Sequence, residues 1–85
     1  MARIRVKVVG EGQHPSEVII AVQTADGIRE NVIVDKRSVE NDTLDVGFPV
    51  GGDDKRYLVE LPRETANGQW RLWMKREDVF EEIPA

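Results

Sequence analysis

The one histidine, His14, stands two positions before Ser16 in a stretch broken by Pro15. A histidine can take the proton of a serine hydroxyl, but only when a third group orients it and the two side chains meet. Two residues of a loop carry no such geometry, so the pair reads as exposed loop. Gly47 and Gly52 have the glycine spacing of a phosphate-binding P-loop. Asp53 and Asp54 then stand where a lysine and a Ser or Thr are required, and two carboxylates repel a phosphate. Asp42, Asp45, Asp53 and Asp54 offer oxygen ligands without the spacing of a calcium loop. With no cysteine and a single histidine, a zinc site lacks its ligand set. Asn41-Asp42-Thr43 fits the glycosylation pattern, which has no meaning in a cytoplasmic chain. The expectation is therefore no enzyme, no metal and no cofactor.

Binding chemistry remains. Trp73 is the leading candidate, as an exposed aromatic beside Pro62 with Glu60, Glu64, Arg71 and Lys75 around it. Aromatic residues with charged rims supply much of the energy of protein interfaces. The expected partner is another protein, or a second copy of this chain. The alternative is a nucleic acid, held by a strip of Arg3, Arg5 and Lys7 joined by Lys36 and Arg37. Base stacking would then fall to Trp73 or Tyr57. Twelve Lys and Arg against sixteen Asp and Glu give a formal charge of −4, which disfavours indiscriminate binding to phosphate backbones.

These residues must be positioned by strands. Ile4, Val6 and Val8 alternate with Arg3, Arg5 and Lys7, as a half-buried strand requires. Residues 17–24 form a β-branched run too short for a typical helix and read as a central strand. Thr24-Ala25-Asp26-Gly27 returns forty-one positions later as Thr65-Ala66-Asn67-Gly68. Asp-Gly and Asn-Gly between apolar runs predict hairpins with two-residue type I′ turns. That turn sets Ala21 opposite Val32 in the first hairpin. In the second it sets Leu61 opposite Met74, Pro62 opposite Trp73, Glu60 opposite Lys75 and Glu64 opposite Arg71. The second hairpin then has an apolar inner face (Val59, Leu61, Trp70, Leu72, Met74) and a charged outer one. The sequence leaves open whether the echo is a duplication or two convergent turns, because Gly27 to Val39 is one residue longer than Gly68 to Val79. Residues 36–40 read as a turn or one helical turn, 43–46 as a short strand, and 47–56 as a loose loop.

The run Trp73-Met74-Lys75-Arg76-Glu77-Asp78-Val79-Phe80-Glu81-Glu82-Ile83 resembles the ending of SH3-like barrels, where a strand, one 3₁₀ turn and a short last strand follow in order. The resemblance covers element order over these residues alone. It implies a fold and no ligand, since the acidic and tyrosine-rich signatures of peptide-binding SH3 domains are absent near the start.

At eighty-five residues the chain is expected to form a single domain over residues 1–85. The predicted class is all-β, a small SH3-like barrel or strongly bent antiparallel sheet of five to seven strands with one or two single-turn segments. Its core is expected from Ile4, Val6, Val8, Ile20, Val32, Val34, Leu44, Val46, Val59, Leu61, Trp70, Leu72, Met74 and Val79. No segment approaches the ~20 apolar residues that span a bilayer, so neither a membrane partner nor a membrane location is expected.

Overall fold

A computed structural model describes residues 2–81, and its strand registers start from the two repeated turns. Only the glycines there take positive φ, 80° at Gly27 and 79° at Gly68. Type I′ needs two such residues, so the loops take another form. The Thr24 N–H donates to the Ile28 carbonyl at 2.9 Å, and the Gly27 N–H donates to the Thr24 carbonyl. This is a three-residue loop closed by a glycine bulge. The Thr24 hydroxyl accepts a further bond from the Ile28 N–H at 3.1 Å. Thr65, Gly68 and Gln69 repeat each of these contacts.

The added loop residue moves the first hairpin by one position. Strands β3 (Glu17–Gln23) and β4 (Arg29–Asp35) set Ile20, rather than Ala21, opposite Val32, and Val22 opposite Glu30. Ile20, Val22, Val32 and Val34 consequently share the buried face.

A larger displacement occurs in the second hairpin. Strands β8 (Arg56–Glu60) and β9 (Arg71–Lys75) pair Leu58 with Trp73, Val59 with Leu72 and Glu60 with Arg71. Pro62 has no N–H to continue a ladder. The Leu61 N–H therefore makes its bond to the Trp70 carbonyl, and 62–64 loop outward before Thr65 pairs with Gln69. Leu61 thus lies four residues from its expected partner, Met74. An even shift keeps each side chain on its face, so Val59, Leu61, Leu72 and Met74 are buried as expected. Trp70 is carried to the hairpin's mouth and is 51% exposed, which removes it from the core.

The remaining elements are β1 (Ala2–Arg5), β2 (Lys7–Glu11), a 3₁₀ turn at Lys36–Ser38, β5 (Val39–Glu40), β6 (Thr43–Gly47), β7 (Gly51–Gly52), a 3₁₀ turn at Arg76–Asp78, and β10 (Val79–Glu81). The protein is all-β, in three antiparallel sheets ordered β10-β1-β6-β5, β2-β3-β4 and β7-β8-β9. The sheets bend without closing a barrel. Ten strands exceed the five to seven expected for two reasons. The first strand breaks at Val6 into two strands of different sheets, and the two-residue β5 and β7 lie inside segments the sequence reads as turn and loop. The order β9, 3₁₀ turn, β10 follows the expectation for the C-terminal run; Glu82 and Ile83 lie outside the described residues.

The same order also closes the first half, and the elements β1 to β5 recur as β6 to β10, each set with one 3₁₀ turn. The halves are interleaved. Among the described residues β1 pairs only with β6 and β10, and β5 pairs with β6. Ile4 lies opposite both Leu44 and Val79, while Leu44 also faces Val39. Two reciprocal bonds of 2.8 Å tie the turns across the seam, from the Ala25 N–H to the Trp73 carbonyl and from the Ala66 N–H to the Asn31 carbonyl. The echo in the sequence is thus an internal structural repeat, with its one-residue mismatch absorbed where 62–64 loop out.

Ile4, Ile20, Val22, Val34, Leu44, Val59 and Met74 form the fully buried centre. Val22 and Ala2 join the core without having been expected there, and Val46 packs against it half-buried. Val8 is 44% exposed although it keeps the phase of Ile4 and Val6, and a bulge between Val8 and Gly10 then ends the alternation of β2.

Candidate functional site

The outer face of β8 and β9 collects charged and aromatic side chains. Its organiser is Asp53. One carboxylate oxygen accepts the backbone N–H groups of Lys55 (3.0 Å) and Arg56 (2.8 Å). The other accepts Nε and Nη2 of Arg56 at 3.2 and 2.9 Å. The Lys55 backbone bond first, and then the Arg56 side chain, hold this carboxyl at about 2, below its ordinary 3.8. Arg56 is thereby fixed with its guanidinium 4.3 Å from the Trp73 ring centroid. Tyr57 lies on the other side of β8, opposite Met74 and packed against the core, and Arg76 stacks on it at 4.3 Å from the ring. Its Nε donates to the Asp53 carbonyl at 2.8 Å and its Nη1 to the Tyr57 hydroxyl at 3.2 Å. Cations over aromatic faces are attracted by the ring quadrupole, and Asp53 holds both guanidinium groups, Arg56 by its carboxylate and Arg76 by its carbonyl.

The two guanidinium groups, and neither ring, line a groove of about 480 Å³ together with Ala25, Lys55, Lys75 and Glu77. Four cations against Glu77 give this lining a formal +3 on a chain whose total is −4, which leaves −7 elsewhere. Lys55 and Lys75 are exposed at its rim.

The structure brings together part of the expected site. Trp73, Arg71 and Lys75 share the outer face of β9, but Trp73 is half-buried under Arg56 rather than exposed; Arg71 sits opposite Glu60, with Nε 3.6 Å from its carboxylate and the guanidinium 4.9 Å from the Trp70 ring. Glu60 accordingly faces Arg71 and not Lys75. Leu58, rather than Pro62, lies opposite Trp73. Pro62 and Glu64 belong to the 62–64 excursion; Glu64 lines a separate groove with Ile19, Ile33, Arg63 and Ala66.

The N-terminal basic strip divides. Arg3 is half-buried and turns into the seam, with Nε donating to the Thr43 hydroxyl at 2.7 Å and Nη2 to the Ser38 carbonyl at 3.1 Å. Arg5 donates to Asp78 at 3.0 Å and stacks on Phe80. Lys7 lies beyond the strand break, in another sheet. Arg37 folds back on Asp35, whose carboxyl it holds below the ordinary range. His14 is exposed in its loop. Asp45 accepts the Gly47 N–H at 3.0 Å, so it serves its own turn as Asp53 does. Among the described residues no three His, Cys, Asp or Glu side chains are placed to hold a metal, and no helix is long and apolar enough to cross a membrane.

Sequence reasoning missed Lys55, Arg56 and Arg76. The signal was present as two Lys-Arg pairs, Lys55-Arg56 and Lys75-Arg76, each close to an aromatic residue. Joining them required the Arg56–Lys75 pairing, which the displaced register had hidden. No protein-family model, curated protein or solved structure matches the chain.

Proposed function

We propose that this protein is a non-enzymatic binding module that docks a short acidic segment of a partner protein in the groove beside Trp73. The observation that carries the reading is a groove of formal charge +3 on a chain of net charge −4, two of whose guanidinium groups, Arg56 and Arg76, are held in place by stacking on Trp73 and Tyr57. Solvent-accessible cations of fixed geometry suit carboxylates, which arginine binds through paired donors. The size of the island decides between partners. A long polyanion would run from the groove onto surface of its own sign, whereas a few carboxylates fit within it. A cytoplasmic location belongs to the same reading, and the SH3-like ending is used only as a frame for the two strands.

Trp70→Phe leaves Trp73 as the single indole reporter. Its emission, titrated with a short Asp/Glu-rich peptide and separately with a single-stranded oligonucleotide of equal charge, tests the proposal at low and moderate salt. The peptide should saturate, and Lys55→Glu with Lys75→Glu should weaken it at least ~10-fold, equivalent to about 1.4 kcal/mol. Tighter oligonucleotide binding with a steep salt dependence would transfer the groove to nucleic acid. No saturable change with either probe refutes the reading.

A further inference from the structure

We propose that a second copy of this chain is also a partner, and that two copies associate by exchanging halves at Asn41-Asp42. The central sheet carries the inference. The first strand of each half is held by the other half: β1 by β6 and β10, and β6 by β1 as well as β5. The bonds that close the seam run between halves too, from Ala25 to Trp73, from Ala66 to Asn31, and from Arg3 to Thr43. None of them depends on both halves belonging to one polypeptide. A second chain can supply the missing half with every one of these contacts unchanged, so no new surface is required.

The connection between halves is short and conformationally unusual. Asn41 and Asp42 both have positive φ, 51° and 59°, and both are exposed. They close the tight turn that pairs Glu40 with Thr43. Straightening these two residues makes β5 and β6 one continuous strand and sends the second half to the neighbouring copy. Asn and Asp tolerate positive φ better than other non-glycine residues, and both also adopt the extended region freely, so either state is open to the hinge. The Thr43 hydroxyl bond to the Glu40 carbonyl (2.6 Å) re-forms between chains, because Glu40 of one copy then faces Thr43 of the other. The bond from the Val6 N–H to the Asp42 carbonyl (2.9 Å) belongs to the turn itself and is the contact given up. Exchange of identical elements is a low-cost route to dimers for this reason. The cationic groove takes all its lining from the second half except Ala25, which the exchange supplies from the other copy. The inference therefore stands apart from what the groove binds.

The unaltered chain, refolded at high concentration, should yield a dimer that persists on dilution, read by light scattering. Asn41→Pro fixes φ near −65°, which forbids the turn and permits the strand; the variant should be a β-rich species of doubled mass. Asn41→Gly with Asp42→Gly, which accept the turn freely, should remain monomeric. Arg5 and Thr43 are cross-strand partners in a chain without cysteine. Arg5→Cys with Thr43→Cys should then bridge within one chain in the glycine background and between two chains in the proline background, read on a non-reducing gel. A folded monomer for Asn41→Pro, or a dimer whose bridge stays within one chain, overturns the proposal. Should Asn41→Pro fail to fold, deletion of Asn41 and Asp42 takes its place. A deletion variant that is monomeric or unfolded overturns the proposal equally.

Discussion

Replacing Thr24 or Thr65 by valine keeps the shape of the side chain and removes one acceptor. Each hydroxyl receives a backbone N–H at 3.1 Å, from Ile28 and Gln69 respectively, and the two threonines are 8% and 5% exposed. A buried donor stripped of its acceptor costs about 1–3 kcal/mol. Ile28 and Gln69 sit at exposed positions, so water can reach the released N–H groups and the cost falls near the lower end, about 1 kcal/mol per site. Unfolding entropy of about 2.1 cal/mol/K per residue gives this chain roughly 0.18 kcal/mol/K. Each substitution should therefore lower Tm by about 5–6 °C. The repeat makes a sharper demand: the Thr65 hydroxyl also accepts the Asn67 N–H at 3.3 Å, so its loss should equal or exceed that at Thr24, by no more than about 0.5 kcal/mol. The double variant should exceed the sum of the singles, because each turn also ties the other half through Ala25 or Ala66 and a weakened turn loosens the partner's anchor. Urea unfolding followed by tryptophan emission, with calorimetry for Tm, measures all three. A valine variant as stable as its parent would refute the role assigned to the hydroxyls, and strict additivity would refute the coupling across the seam.

Acid should act through Asp53. Its folded pKa of about 2 lies below the ordinary 3.8, so the unfolded chain takes up the proton first. The stability it contributes is complete above pH 3.8 and is lost as pH falls through about 2. Asp53→Asn should be the less stable protein at neutral pH and should converge on its parent near the bottom of that window, measured by urea midpoints at stepped pH; parallel curves would contradict this. Gly12→Ala places a Cβ 2.5 Å from the Glu17 Cβ and 3.1 Å from its backbone carbon, against the Gly12 N–H bond to the Glu17 carbonyl. A loss of about 1–3 kcal/mol is expected, and an unchanged urea midpoint would show that the turn yields freely.

What the sequence disclosed follows from which rules were local. Alternation fixed which residues of β4, β8 and β9 face inward, and Asx-Gly marked both turns. The partners across each hairpin escaped because they depend on loop length. Asp-Gly admits a two-residue or a three-residue loop, and the Thr24 hydroxyl bond is one of the contacts that favour the longer one. Pro62 was read as a strand residue when its missing N–H makes it the point of departure. The same displacement concealed the groove, since Arg56 and Lys75 become neighbours only in the observed register. Trp70 illustrates the limit from the other side. It lies on the inward phase of its strand, yet at 51% exposure it has run past the end of the core it points toward.

The repeated turns have a consequence for how this molecule can diversify. Ala66 walls a groove of about 520 Å³ whose floor is Ile19, Val32 and Ile33, while Ala25 walls the cationic groove on the other hairpin. Ile33 and Trp73 occupy corresponding positions of the two copies, three residues before the matching 3₁₀ turns. The inward residues answer to one shared interior and are constrained jointly. The outward ones answer to no common neighbour, so each side is free to change its chemistry alone. One groove presents Ile19 and Ile33 beside Arg63 and Glu64, the other four cations, on a scaffold that is the same twice. A single interior thus supports two separately adjustable specificities, which a barrel of one unrepeated sheet would have to trade against each other.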